Sequence, residues 1–335
     1  MKVSVELTKA LLVLYLFFLV VPLPSKAASI LQPVIIDTDA GLDDAIAILY
    51  LLKRQDVDVK AITIASDGLT KCDAAFRNIS GLLSLMQKTN IPVACGRDTP
   101  LQGNHQFPIK WVEHSATLEG AAHLLPKTIN PIARNAVDLF IDTITHSSKP
   151  VTVLAIGPLT NVAEAIQRNP SIKKNIRSIY IMGGAIHAPG NLNEAPPAKN
   201  QTAEWNIYID PYAADIVLSA KIPVILIPLD ITNKMPIDWA FYQKLKPQQH
   251  AAANFIYELF KHNEAVIKRK QWYFWDPLAA MLVTDESSAT CKNQPIKIQI
   301  DTGAMILNKK IGNLVRVCEN ADKKYFETLL LNTIN

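Results

Sequence analysis

Short apolar segments alternate with amphipathic ones along most of the chain. The first apolar run, around Val34–Ile36, predicts a buried strand, and the segment that follows from Asp43 has helical spacing. Further strand-like segments occupy 59–65, 91–94, 150–156, 176–182, 223–227, 295–300 and 304–317. Helix-like segments occupy 73–87, 135–147, 159–168, 211–219, 236–270 and the C-terminus. This alternation predicts an α/β fold with a mostly parallel central sheet flanked by helices.

Two long segments, 97–130 and 185–203, have no clear periodicity. Loops of this length in a compact domain are usually functional or disordered. Ligands of parallel α/β sheets bind beyond the carboxyl ends of the strands, where such loops would lie. No repeat, linker or low-complexity tract divides residues 30–335, so a single domain is expected.

The N-terminus differs in character from the rest of the 335 residues. Lys2 and Lys9 precede an apolar run over 10–21, and Ser25-Lys26-Ala27 has small residues at cleavage-site spacing. This pattern predicts a signal peptide over 1–27 and a mature domain over 28–335 in an exported protein, periplasmic or secreted. A membrane anchor is the alternative, but the run is shorter than the roughly 20 residues that span a bilayer.

Net charge gives no indication of a polyanionic partner. Residues 1–27 hold three of the 34 basic and one of the 30 acidic residues, which leaves 31 and 29 in the mature chain. We therefore expect neither nucleic-acid nor stable membrane association. The four cysteines, Cys72, Cys95, Cys291 and Cys318, suit two disulfides after export, although buried free thiols fit the sequence equally well.

Four aspartates lie close together where the first strand ends, in the segment Asp37-Thr38-Asp39-Ala40-Gly41-Leu42-Asp43-Asp44. Asp37 and Asp39 are two apart and share a face at the strand end, and Gly41 permits a sharp turn. Asp43 and Asp44 open the next helix, where acids suit the helix dipole. One or two aspartates could serve as caps, but four within eight residues repel one another. A hard divalent cation with oxygen ligands would hold them together.

Other candidates follow later strands or lie in the second long loop. The carbonyl of Ile156 is left free where Gly157-Pro158 breaks a strand, although that motif, taken alone, is more typical of a plain turn. Asn191, Glu204 and Asn206 offer groups suited to sugar hydroxyls, against a default of surface polarity. Asp276 precedes Pro277 and, taken alone, is more typical of a helix N-cap.

These motifs together resemble, in order, those of the calcium-dependent nucleoside hydrolases, which cut the N-glycosidic bond of ribonucleosides. The resemblance runs from about Pro33 to the C-terminus. After the aspartate-rich segment come Gly157-Pro158-Leu159-Thr160-Asn161, Met182-Gly183-Gly184, Glu204-Trp205-Asn206-Ile207-Tyr208-Ile209-Asp210-Pro211 and Trp275-Asp276-Pro277.

The resemblance implies a Ca²⁺ cofactor and a role for each candidate residue. Asp39 would be the catalytic base that takes a proton from the water held by the ion. The transition state would resemble an oxocarbenium ion, which nearby carboxylates stabilise. The implied Ca²⁺ ligands are Asp39, Asp44, Asp276 and the Ile156 carbonyl. The implied ribose contacts are Asp43, Met182, Asn191, Glu204 and Asn206, with Asp37 orienting the ligands from behind.

The last motif departs from many family members, because Trp275 stands where they carry a histidine thought to protonate the leaving base. Trp275 and Trp111, the latter within Phe107-Pro108-Ile109-Lys110-Trp111, resemble the purine-preferring branch, in which two tryptophans sandwich the base. Stacking would raise the basicity of purine N7 so that solvent can protonate it. Asp67 falls near that branch's base-binding aspartate, in a loop that is longer here.

Purine-preferring nucleoside hydrolysis is therefore the first hypothesis, with a small-molecule nucleoside as partner and a homo-oligomer, dimer or tetramer, implied by the family. A broad or pyrimidine preference is the nearest alternative. A haloacid-dehalogenase-type phosphatase would use Asp37 and Asp39 with Mg²⁺, but it leaves Asp43, Asp44 and Asp276 without a role. A non-catalytic nucleoside-binding protein would be expected to lack Asp39, which is present.

Overall fold

The computed structural model describes residues 31–127, 135–192, 200–246 and 249–335. Within these residues one sheet contains nine strands in the order β3-β2-β1-β4-β5-β6-β9-β7-β8. The strands are β1 Gln32–Thr38, β2 Val57–Ile64, β3 Val93–Cys95, β4 Val151–Ile156, β5 Ile176–Met182, β6 Val224–Ile227, β7 Ala289–Ile298, β8 Met305–Leu307 and β9 Asn313–Ala321.

The helices follow the strands, as the alternating pattern predicts. They are α1 Leu42–Lys53, α2 Cys72–Leu85, α3 Ile109–Ala116, α4 Ala136–Thr145, α5 Thr160–Arg168, α6 Trp205–Ile209, α7 Pro211–Ser219, α8 Leu229–Thr232, α9 Trp239–Tyr242, α10 Ala251–His262, α11 Glu264–Lys268, α12 Trp275–Thr284 and α13 Lys323–Ile334. The predicted leader, residues 1–27, lies outside the described residues. No helix in the described ranges combines the length and apolarity that crossing a bilayer requires.

Seven adjacent strands run parallel, from β3 through β9, and β7 and β8 continue the sheet in antiparallel pairing. The chain builds outward from β1 through β2 to β3, then returns to place β4 on the other side of β1. β1 and β4 therefore flank the point where the strand order reverses. Crevices at such points bind ligands in open α/β sheets.

Alternation along β1 divides the core between the two faces of the sheet. Val34 and Ile36 belong to one buried cluster, with α1, α2, α10, α12 and α13. Ile35 belongs to the other, with α4, α5 and α7. Because both faces are covered, the strand carries apolar residues at each position from Pro33 to Ile36, and Asp37 follows. The predicted α/β architecture, with a mostly parallel sheet flanked by helices, is thereby confirmed.

Three segments differ from the sequence prediction. The segment 97–130 was predicted to be irregular, but it contains α3 and a 3₁₀ helix at Leu118–Leu124. Periodicity does not reveal α3, because this helix buries only Ser115 and so lacks an apolar stripe. The segment 236–270 is not one helix but three, and Asn263 separates α10 from α11. The predicted strand 304–317 divides into β8 and β9.

Both possible disulfides are present in the structure. Cys291 and Cys318 face each other across the β7–β9 pair, so their bond links two strands that already share a register. Cys72 and Cys95 join the start of α2 to the end of β3. The second bond thus anchors one end of the loop that runs from β2 to α2, which reaches the site described next.

Candidate active site

The turn after β1 depends on an unusual backbone at Ala40 rather than at Gly41. Ala40 has a φ of 60°, in the left-handed region, whereas Gly41 has a φ of −72° that any residue adopts. Gly41 is needed for space instead, since a Cβ there would lie 2.9 Å from Asp44 Oδ2. The backbone N–H of Gly41 donates to that same oxygen over 2.9 Å. Gly41 thus permits the turn by leaving room for Asp44, not by adopting a left-handed backbone.

Asp44 is fixed at the start of α1 by two donors. Besides the Gly41 N–H, the Thr38 hydroxyl donates to its Oδ1. Asp44 is buried, with 2 % of its surface exposed. Its position is thus set by the end of β1 and by the turn, and it presents its carboxylate at the carboxyl edge of the sheet.

Asp276 joins this group from a distant part of the sequence. It is the second residue of α12, whose N-cap is Phe274, so the interpretation of Asp276 as an N-cap is wrong. Carboxylate oxygens of Asp43, Asp44 and Asp276 all lie within 4.8 Å of one another. α1 and α12 pack together, and this contact is what brings the three acids to one place.

Asp39 occupies the adjoining position on the strand end. The backbone N–H of Leu69 donates to its Oδ2 over 3.0 Å, and Thr70 N–H donates to its carbonyl over 3.0 Å. Two glycines leave room around it. A Cβ on Gly68 would lie 2.3 Å from Asp39 Cβ, and one on Gly157 would lie 2.8 Å from Asp39 N. The β2–α2 loop and the turn after β4 therefore clasp Asp39 from both sides.

Burial and mutual repulsion shift the ionisation of the whole group. Burial, then the charge of Asp44, raises the pKa of Asp39 well above its usual value. Burial, then the charges of Asp43 and Asp44, does the same to the pKa of Asp276. Burial and the charge of Asp44 raise the pKa of Asp43 to about 7. Without a compensating positive charge, these carboxyls cannot all be ionised together near neutral pH.

This donor set fits a hard divalent cation. All the donors are oxygens, three of them belong to one cluster, and their ionised forms are disfavoured by burial until positive charge enters. Ile156, at the end of β4, lines the same cavity as Asp39, Asp44 and Asp276. The structure therefore brings together the four residues predicted as metal ligands, and it adds Asp43 to the closest cluster.

The opposite wall of the cavity comes from the end of β5 and from α6. Glu204 caps α6 and accepts hydrogen bonds from the backbone N–H groups of Gly184, at 2.8 Å, and Asn206, at 3.0 Å. The Asn206 amide donates to the Met182 carbonyl over 3.1 Å. The Asn191 side-chain oxygen accepts from Trp205 N–H over 3.2 Å. All the residues predicted to contact ribose therefore lie at fixed positions around one cavity.

The cavity has a volume of about 140 Å³ and is lined by both carboxylates and aromatic rings. Its lining comprises Asp39, Asp43, Asp44, Leu69, Phe107, Trp111, Ile156, Met182, Asn191, Glu204, Trp205, Asn206, Trp275 and Asp276. Among the described residues, the indole N–H groups of Trp205 and Trp275 are buried and have no hydrogen-bond partner. Trp205 packs against Phe107, with ring centroids 4.7 Å apart, and against Trp111, at 5.5 Å.

Asp37 is fully buried at the end of β1, and its role in orienting the metal ligands stays a prediction. Its Oδ1 accepts from the Thr63 hydroxyl over 2.5 Å and from the Asn161 amide over 2.9 Å. Burial raises its pKa to about 7. It connects the ends of β1, β2 and α5 and does not line the cavity.

Asp67 is placed differently from the prediction. It is buried, 1 % exposed, and lies behind the cavity rather than on its wall. Its Oδ2 is 2.5 Å from the Thr160 hydroxyl, which is also 2.9 Å from Asp210 Oδ2. The longer β2–α2 loop turns Asp67 inward and presents Leu69 to the cavity instead. The structure thus gives Asp67 a partner in the scaffold and no position beside a base.

Three lining residues, Leu69, Phe107 and Trp205, were not assigned a role from the sequence. Phe107 and Trp205 stood within quoted motifs, and their aromatic character beside site residues was the available signal. Leu69 carried no such signal, because its position depends on the conformation of the β2–α2 loop.

The fold and site define an α/β protein with a carboxylate-rich, aromatic-lined cavity at the sheet switch point. The profile of the inosine-uridine preferring nucleoside hydrolase family matches residues 34–328, and the chain belongs to that family.

Relatives of this chain carry different substrate descriptions. The pyrimidine-specific ribonucleoside hydrolase RihA of Escherichia coli is 36 % identical over 243 residues, which cover 72 % of this chain and 74 % of RihA. The solved plant nucleoside hydrolase PpNRh1 has a TM-score of 0.81 and 28 % identity, over 90 % of this chain and 98 % of its own. An inosine-guanosine nucleoside hydrolase has a TM-score of 0.75 and 26 % identity, with the same coverage.

The contact between Gly68 and Asp39 gives a direct test of the site geometry. Gly68→Ala places a methyl group 2.3 Å from Asp39 Cβ and 2.7 Å from its Oδ2, so the carboxylate must move. A displacement of about 1 Å at a reacting group costs on the order of 100-fold in rate. We expect kcat for nucleoside hydrolysis to fall by about that factor in steady-state assays.

Gly103→Ala is the matched control. Gly103 has a positive φ of 87°, which Gly68 does not have, but its added Cβ meets nothing within 4 Å. Because an alanine is strained in that conformation, the variant should lose about 1–2 kcal/mol of stability, measured by urea unfolding, and keep its kcat. Equal kcat values for the two glycine variants would contradict the proposed packing around Asp39.

Proposed function

We propose that this protein is a Ca²⁺-dependent nucleoside hydrolase that prefers purine ribonucleosides and releases free base and ribose. Family membership supports the hydrolysis of N-glycosidic bonds. The observation that carries the finer proposal is the shared cavity, which is lined by Asp39, Asp44 and Asp276 and also by Trp111 and Trp275. A ribose seated on the carboxylates would have its base directed between aromatic rings.

Asp39, Asp44, Asp276 and the Ile156 carbonyl would hold the Ca²⁺, with Asp43 beside them. When bound, the ion supplies positive charge that lets the acids ionise together, engages ribose hydroxyls and makes water more acidic. Asp43, Asn191, Glu204, Asn206 and the Met182 region would hold the ribose. Glu204 is already oriented by backbone donors, and the Asn206 amide by the Met182 carbonyl, so the sugar meets a preorganised wall.

Asp39 is suited to take the proton of the attacking water. Its carboxylate is fixed by Leu69 N–H, and burial raises its pKa, which makes the ionised group a stronger base. As the water oxygen bonds to the anomeric carbon, the bond to the base nitrogen breaks. The sugar acquires oxocarbenium character, and the surrounding carboxylates stabilise its positive charge.

The departing base must also gain a proton. Trp275 occupies the position before Asp276, and an indole cannot donate as an imidazolium does. Stacking of the base between Trp111 and Trp275 would raise the basicity of purine N7, so that solvent supplies the proton. Asp67 is no longer part of this proposal, since it lies behind the cavity.

A pyrimidine preference is the second candidate, because RihA, 36 % identical, is described as pyrimidine-specific. The two tryptophans favour a purine, whose larger π face gains more from stacking. The phosphatase alternative leaves the cluster of Asp43, Asp44 and Asp276 unexplained.

We also propose that the protein is exported. The leader-like sequence of residues 1–27 supports this, and so do two disulfides, which persist mainly in oxidising compartments. A homo-oligomer remains the family-based expectation.

Release of free base from a panel of inosine, guanosine, adenosine, uridine and cytidine tests the proposed reaction. We expect hydrolysis that disappears in chelator and returns on addition of excess Ca²⁺, because the buried acids need positive charge. Asp39→Ala should lower kcat by about 100- to 10,000-fold, the usual range for a lost general base.

Asp56→Ala is the control for that panel. Asp56 precedes β2 at the opposite edge of the sheet and makes only a surface ion pair with Arg54, of little energetic weight. Its kinetics should match the unaltered protein. Full activity in chelator, or phosphate release without base release, would contradict the proposed Ca²⁺-dependent nucleoside hydrolysis.

Substitution of Trp275 tests the purine preference. Trp275→Ala removes a stacking surface, so kcat/KM for inosine should fall about tenfold more than that for uridine. Trp239→Ala serves as comparison, since Trp239 packs on Tyr242 and does not line the cavity. Equal losses for both nucleosides would argue against stacking as the source of preference.

The N-terminus of the protein recovered from outside the cytoplasm tests export. Sequencing should show that the mature chain begins near residue 28, because cleavage is expected after Ala27. Recovery of an uncleaved chain carrying Met1 would contradict the signal-peptide interpretation.

A further inference from the structure

A second cavity, of about 400 Å³, adjoins the proposed ribose site. Four residues line both cavities, namely Asp43, Leu69, Trp111 and Trp275. The two spaces therefore meet at the tryptophans between which the base is proposed to stack. A base held there would turn the edge farthest from the ribose toward the second cavity.

The wall of the second cavity contains polar groups that can hydrogen-bond to that edge of the base. Helix α3 presents Trp111, His114 and Ser115 to the cavity, at the i, i+3 and i+4 spacing of one helix face. Glu119, Asn263 and Gln271 complete the polar part of the wall. Of these, Glu119 alone offers only acceptors when ionised, whereas each amide offers both a donor and an acceptor.

Glu119 is held in place by an unusual backbone. Leu118, Glu119 and Gly120 have φ values of 48°, 51° and 94°, three consecutive residues in the left-handed region. Such conformations are costly for residues other than glycine and persist where the surroundings impose them. The His114 ring nitrogen Nδ1 lies 3.5 Å from Glu119 Oε1.

Helix α3, which forms part of this wall, is hydrogen-bonded to the β2–α2 loop beside Asp39. The Ser115 and Thr70 hydroxyls share a hydrogen bond, and Thr70 N–H donates to the Asp39 carbonyl. Helix α3 is therefore positioned relative to Asp39 in part through this buried connection. A base-reading group carried by this segment would keep a fixed relation to the reacting sugar.

We propose that Glu119 accepts a hydrogen bond from the ring N1–H of a 6-oxopurine and so selects inosine and guanosine over adenosine. Guanine adds a second donor, its 2-amino group, beside N1–H. Adenine presents a bare N1, an acceptor, which would face the acceptor-only carboxylate. This inference rests on the proposed function, since it assumes that a purine ribonucleoside occupies the site.

The experiment compares kcat/KM for inosine and adenosine in the Ca²⁺-loaded full chain and in Glu119→Gln. The amide can present its donor to adenine N1, so the inosine-to-adenosine ratio should fall about tenfold, a modest factor for a half-buried group. Inhibition by free hypoxanthine should weaken by a similar factor relative to inhibition by free adenine. This second readout reports recognition of the base without the chemical step.

Glu113→Gln is the matched control, because Glu113 lies on the same helix but is exposed and does not line the cavity. Its ratio should equal that of the unaltered protein, and thermal unfolding should show both variants folded. An unchanged ratio in a folded Glu119→Gln protein would overturn the Glu119 assignment while leaving the proposed function standing. Absence of purine hydrolysis by the unaltered protein would overturn both.

Discussion

Repulsion among buried carboxylates is the constraint on which the rest of this structure depends. Asp39, Asp44 and Asp276 are each less than 5 % exposed, and burial raises the pKa of every one of them. A fold gains nothing from gathering such groups unless a cation or a developing positive charge compensates them. The cavity is therefore suited both to hold a divalent ion and to favour a transition state in which positive charge appears on the sugar.

The sheet topology makes this gathering possible. β1 and β4 are neighbours although more than one hundred residues separate them in the chain, and their ends lie level, with Thr38 paired to Ile156. Asp276 arrives on α12, which packs against α1. The strand-end residues are thus fixed by backbone pairing and by core packing on both faces. The β2–α2 loop contributes as well, through the hydrogen bond that Leu69 N–H donates to Asp39.

Much of the structure around the first four aspartates could be predicted from the sequence, because the residue patterns that specify it are local. The apolar run that ends at Asp37 and the spacing of Asp37, Asp39, Asp43 and Asp44 specify a strand, a turn and a helix start. Asp276 was harder to assign, since Asp-Pro before a helix is typical of a cap. Its role depends on a neighbour 232 positions away, Asp44, which no local pattern reports.

The predictions from sequence failed where the structure depends on backbone conformation, which the residue type does not indicate. Asp67 turns inward because of the conformation of its loop. Helix α3 was missed because it buries almost nothing of its own. In each case the outcome depends on non-local packing, which composition and periodicity do not encode.

The two halves of the cavity differ in how they are built, and this has a consequence for specificity. The carboxylate half is set by strand ends and by α12, so changes there would disturb the core. Part of the aromatic and polar half is carried by residues 97–127, which contact the core through few buried residues, Ser115 and Leu118 among them. Substitutions in that segment can alter the base-facing wall while the acids stay in place. Relatives with a common fold and different described preferences, such as RihA and the inosine-guanosine enzyme, are the expected result of that division.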